Sequence, residues 1–296
     1  ANGVTTIHAM IPEDEMESLV DFSAQLPIHL NIFTETHNVQ KVKQAGLRQI
    51  GGCGKVLLDG DTGPHTAAML EPYSDRPNGS GFLYFSDEEL EAFMSEAHAE
   101  GLQIGLHCVG DAASQQFLRI IGKVIARNPE KRLRHRIEHF SFGTPDQVQQ
   151  ARRLGVGVSA QPGFNHFWDH KTYIEILGEA RAGRVDPIAS VMNENVAIAF
   201  GSDCTVTPCN PLLGIHAAVN HSLEKERVSA DRALIAHTFG GAYLGQDEID
   251  RGTIAVGKVA DLVFLEADPA EVPASEIKEI PVLRTLCGGE TAFLRK

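Results

Sequence analysis

Residues 103–111 read QIGLHCVGD, an apolar run that ends at His107 and turns through Gly110 into an amphipathic stretch reaching residue 127. A short buried run passing directly into a helical pattern is a βα unit, and such units in series build a parallel sheet. The same pattern lies on either side. KVLLDG begins at Lys55, RHRIEHF carries His139, and VAIAFGSD ends at Asp203. Helical stretches are predicted at 86–100, 111–127, 144–154 and 187–194, with earlier ones at 12–25 and 39–45. Runs starting near Gly3, Ile28, Lys55, Gln103, His135, Gly157 and Val196 predict seven strands, one short of a closed (β/α)8 barrel. Strand ends converge on one face of such a barrel, so polar residues far apart in sequence meet there.

Composition sets the class. The chain has 296 residues, 43% of them hydrophobic and 22% charged, enough to bury a full core. A net charge of −13 excludes a broad phosphate-binding surface, so nucleic acid is not an expected partner. No run reaches the length of a membrane helix. The five cysteines form no CxxC pair and are odd in number, which predicts a reducing, cytoplasmic setting. Cys108 and Cys204 directly follow His107 and Asp203, but alternation along a strand turns Cys108 away from its neighbour's face.

Two long segments stand out as loops. Residues 59–85 are rich in Gly, Pro, Asp, Ser and Thr, and residues 161–173 carry Phe164, His166, Phe167, Trp168 and His170. Long loops in compact domains commonly serve binding, although the aromatics equally suit a barrel-mouth cover. From Ile249 onward the texture changes to short alternating runs split by Gly-Lys and Gly-Gly, which reads as β-hairpin material. The chain therefore divides into a barrel region, 1–246, and a β segment, 247–296.

Taken together, KVLLDGDTGPHTAAMLEPYSD, LHCVGDAA, RHRIEHF, GVGVSAQP, GSDCTVTPCNP and GTIAVGKVADLVFLEADP resemble the YtcJ-like branch of the amidohydrolase superfamily, in that family's order. The resemblance runs from Gly3 to the end. It implies a TIM-type barrel and a composite β-sandwich to which the C-terminal segment contributes. It also implies metal-dependent hydrolysis of a small organic molecule. His107 and His139 match the metal-binding histidines, Asp203 the metal-binding and catalytic aspartate, and Lys55 a lysine that many members carboxylate to bridge two metals. The implied cofactor is a divalent metal, zinc in many members, with one or two ions in the full-length family and one or none here.

The chemistry of these residue types agrees with that implication. Neutral imidazoles suit zinc, a bound water can reach a pKa near 7, and an adjacent carboxylate can take its proton and pass it to a leaving nitrogen. A single strand-end histidine is more often a hydrogen-bonded structural residue; two of them followed by GSD reverse that balance. Asp59, Thr62, His65, His166 and Trp168 are substrate-binding candidates, with turn formation at Asp59-Gly60 as the plain alternative. Asp111 is expected to cap its helix. Glu138 and His139 cannot both face inward under strict alternation, which leaves Glu138 a supporting role.

The sequence departs from the family at its front. No His-x-His occurs anywhere, and His8 stands on what resembles the second strand. The chain is thus expected to be the C-terminal portion of a longer protein, with strands two to eight of a barrel. A noncatalytic fragment that binds a ligand or nothing is the alternative function. An open barrel also predicts a homo-oligomer covering the exposed edge.

Overall fold

A computed structural model describes all 296 residues. Seven parallel strands form one sheet in sequence order: β1 (Thr6–Pro12), β2 (His29–Glu35), β3 (Gln49–Gly52), β4 (Gln103–Cys108), β5 (Arg136–His139), β6 (Gly157–Ala160) and β7 (Ile198–Phe200). The first and last strands do not pair, so the sheet is open between β1 and β7. It is nonetheless curled. Arg136 on β5 reaches the ring of His8 on β1, with Nη1 2.6 Å from Nδ1, although four strand steps of about 4.8 Å separate these strands in the sheet. This is an incomplete TIM-like barrel.

Local sequence explains the helices that alternate with the strands. Ser86 and Glu89 close a reciprocal capping box at the start of helix Asp87–Ala99, and Thr144 with Gln147 does the same for Pro145–Leu154. Gly155, in the left-handed region at φ 66°, ends the latter. Helix Asp111–Arg127 buries Phe117, Leu118, Ile121 and Val124 on its inner face against the strands. Asp111 does not cap it. Its carboxylate instead accepts from the Leu70 N–H (2.7 Å) and Arg184 Nη2 (3.1 Å), tying the long loop to the barrel rim.

Several boundaries move relative to the sequence reading. The third strand is Gln49–Gly52 rather than a run through Lys55, because a buried acceptor draws the chain off the sheet: the Glu35 carboxylate accepts from the N–H groups of Cys53 and Lys55. A Cβ on Gly54 would fall on that carboxylate. The expected loop at 161–173 contains helix Phe164–Phe167 and the start of His170–Leu177, the latter capped by Asp169. The stretch 253–260 is not a strand, and Ile254 and Val256 are fully exposed.

The C-terminal β material forms a separate antiparallel sheet, β10-β9-β8, from β8 (Leu262–Leu265), β9 (Val282–Cys287) and β10 (Glu290–Leu294). The segment just before it seals the N-terminal mouth of the curled sheet. Gln103 Nε2 donates to Leu244 O (2.8 Å), Arg134 Nη1 to Tyr243 O (2.6 Å), and Asn31 Nδ2 to Asp247 Oδ2 (2.7 Å). Within the barrel, buried Arg136 pairs with Glu138 and lies over the Phe33 ring, with Cζ 4.0 Å from its centroid. No helix is long and apolar enough to cross a membrane.

Candidate metal centre at the open strand ends

His107 is placed by the regular geometry of β4, whereas His139 requires a break in β5. Glu138 already faces inward to pair with Arg136, so strict alternation would turn His139 out. The backbone leaves the β region at His139 (φ 72°) and Phe140 (φ 59°), and the imidazole swings to the strand-end face. Two consecutive left-handed residues without a glycine are costly, and such conformations concentrate at functional sites. Asp203 shares this left-handed geometry at φ 52°.

The two rings stand edge to face, with centroids 4.4 Å apart. His107 Nε2 lies 3.1 Å from Gly60 O, so that nitrogen carries the proton and Nδ1 holds a bare lone pair. Nδ1 of His107 and Nδ1 of His139 are both buried with no hydrogen-bond partner. Burial, reinforced by the neighbouring His139, lowers His107 to a pKa of about 4, and burial lowers His139 likewise to about 4. Both imidazoles are therefore neutral at pH 7, the form that binds metal.

Cys53, just past β3, completes the cluster. Its Sγ is 3.7 Å from His139 Nε2, and one donor atom from each of Cys53, His107 and His139 lies within 4.8 Å of the others. Burial raises the Asp203 carboxyl above its ordinary value, and Asp203 is not among the donors that converge within 4.8 Å. Glu35 stands against Cys53, accepting its backbone N–H at 3.2 Å. Two neutral imidazoles and a thiol whose donor atoms lie within 4.8 Å of one another fit a divalent cation. The residues of this mouth could hold one.

Lys55 is not brought to the cluster. Its side chain is 68% exposed and its Nζ lies 3.8 Å from Asp14 Oδ1, on the rim. The substrate-binding candidates divide into three groups. Asp59 is fully buried and accepts from the N–H groups of Ala68, Val109 and Gly110, at 2.7–3.0 Å, which fastens the long loop to the end of β4; burial raises its pKa to about 7 against those bonds. Thr62 is buried beside Asp61, and His65 is held by Asp75 at 2.8 Å against the Tyr73 ring. Trp168 is half-exposed and reaches the centre through Phe164, whose ring stacks on His139 at 6.0 Å and 17°, while His166 turns away toward His216.

Sequence reasoning missed Cys53 and Glu35. The GGCG tetrad at 51–54 was the available signal, since three glycines around one cysteine mark a strand end crowded by other groups.

A curled parallel sheet with paired imidazoles and a thiol near its C-terminal strand ends defines an α/β barrel-type protein with a candidate metal centre there. The chain belongs to the amidohydrolase family, which it matches over residues 1–293. It is 32% identical over 254 residues to Protein LONG AFTER FAR-RED 3 of Arabidopsis thaliana, covering 82% of this chain and 43% of that protein. YtcJ of Bacillus subtilis (strain 168) is 29% identical, with 82% and 47% covered, and the N-substituted formamide deformylase of Arthrobacter pascens is 26% identical, with 83% and 46% covered. The chain thus spans less than half the length of these curated relatives. An uncharacterized metal-dependent hydrolase from Pyrococcus furiosus has the same fold, at a TM-score of 0.78 and 26% identity, with 90% of this chain and 56% of that one covered.

Proposed function

We propose that this chain carries the metal-binding half of a hydrolase site that cleaves an amide or related C–N bond in a small organic molecule. The observation behind this reading is the pair of buried imidazoles, His107 and His139, standing edge to face with unpartnered ring nitrogens. A divalent metal held there, zinc by the donor chemistry, would supply Lewis acidity and an ionisable water.

The remaining work falls to the chain itself. Asp203 accepts the proton of the attacking water at a carboxylate oxygen and returns it to the nitrogen as the C–N bond breaks. Phe164 and Trp168 offer an apolar wall against the substrate's organic portion. Formamides are the first substrates to try, since the Arthrobacter pascens relative is named for deformylating them. The five free cysteines favour a reducing, cytoplasmic setting, and the unpaired edges of β1 and β7 favour association of two chains.

A second reading has its own observation. Lys55 lies outside the cluster beside Asp14, which suits a barrel that binds a ligand without turning it over. Metal analysis after zinc loading, combined with a hydrolysis assay on N-substituted formamides, separates the two readings. Zinc-dependent hydrolysis that disappears in Asp203→Asn supports the first, and bound zinc without turnover supports the second.

A further inference from the structure

The cluster contains a donor that the hydrolase reading does not use. Cys53 sits where β3 leaves the sheet, fixed by its backbone N–H to Glu35 Oε1 at 3.2 Å. Gly52 and Gly54 on either side of it make room for the Glu35 carboxylate, on which a Cβ at either position would fall. Its thiol has the Met10 thioether on one side, with Sδ 3.3 Å away, and His139 Nε2 on the other at 3.7 Å. The thioether is only a weak acceptor. One donor atom from each of Cys53, His107 and His139 lies within 4.8 Å of the others.

We infer that Cys53 is a metal ligand, so that Cys53, His107 and His139 form a three-donor site for a thiophilic divalent cation. The inference rests on the hydrolase reading for the two histidines and adds the sulfur. Binding releases the thiol proton to solvent as the sulfur–metal bond forms, with no change of oxidation state. A Cys-His-His set leaves a fourth tetrahedral position open, as zinc sites with three protein ligands do. Soft sulfur selects zinc, cobalt or copper ions over magnesium and manganese.

Cobalt titration of the reduced, metal-free chain tests this, because a thiolate ligand gives a sulfur-to-cobalt charge-transfer band that nitrogen and oxygen donors do not. The wild-type chain should show that band at one equivalent. Cys53→Ser should abolish it and weaken cobalt binding by more than about 100-fold, beyond the loss expected for a residue that only supports a ligand. Cys204→Ser, which removes the exposed thiol next to Asp203, should keep both. Should Cys53→Ser fold poorly, alkylation mapping of the wild type provides an independent readout, and zinc should protect Cys53 from iodoacetamide. Cobalt bound tightly without the charge-transfer band, or equal alkylation of Cys53 with and without zinc, overturns the cysteine ligand and leaves the histidine centre standing. No cobalt bound by the wild type overturns both.

Discussion

Two histidine pairs lie buried in this barrel, one at each end of the strands, and they are wired differently. At the N-terminal end, His135 Nδ1 accepts from the Ile104 N–H at 3.0 Å, so His135 Nε2 is the donor to His98 Nδ1 at 2.8 Å. His98 Nε2 then donates to Asn128 O at 3.3 Å. All four ring nitrogens have partners, and only one tautomer of each ring satisfies them. At the C-terminal end, His107 and His139 are as deeply placed, yet each keeps an unpartnered Nδ1. Burial depresses the pKa of His135 at one end as it does those of His107 and His139 at the other. What separates the two pairs is the unused ring nitrogen, which at the C-terminal end stands in a cluster with the Cys53 thiol; an orphaned buried polar atom costs about 1–3 kcal/mol unless something fills it.

The sharpest way to break this contrast is to exchange the lesions. His107→Ala should reduce zinc affinity by more than about 100-fold in an equilibrium titration. It should change the unfolding free energy of the metal-free chain, read from urea denaturation, by no more than about 1 kcal/mol, since relief of the unpaired nitrogen offsets lost packing. His135→Ala should do the reverse. Zinc stoichiometry should hold, while unfolding shows a loss of about 2–4 kcal/mol from the stranded Ile104 N–H and the cavity.

Acid should weaken both pairs in the metal-free chain. Folding holds His135 at about 3 and His107 and His139 at about 4, against an ordinary value of 6.5. The unfolded chain therefore binds protons first. Stability contributed by these neutral rings is complete above about pH 6.5 and falls as the pH drops toward 4, by roughly 1–2 kcal/mol per histidine at pH 5. Urea midpoints at pH 7.5 and 5.0 measure this. Added zinc should raise the midpoint at pH 7.5, with the gain fading toward pH 5 as protons compete for the lone pairs. The smallest effect belongs to Lys55→Ala, which removes an exposed pair with Asp14 and should change stability by less than about 0.5 kcal/mol and zinc stoichiometry not at all.

Much of the scaffold was legible in the residues. The helix predicted at 111–127 has those bounds, and seven parallel strands fall in the predicted order, because periodicity and capping are local signals. The site was harder to read, since it depends on local breaks in that regularity. His139 reaches the centre through two left-handed residues that no alternation rule anticipates. KVLL reads as strand by composition, but the Glu35 carboxylate, distant in sequence, ends the strand early and presents Cys53 in place of Lys55. Apolar residues at 253–260 satisfy the strand pattern without a partner strand beside them, and they lie exposed.

The central claim is that His107 and His139 form a metal centre. X-ray absorption at the zinc edge, on wild-type chain loaded with one equivalent of zinc, tests it most directly. The account predicts two imidazole nitrogens at about 2.0–2.1 Å and one sulfur at about 2.3 Å. A shell of oxygen donors without imidazole scattering would contradict it.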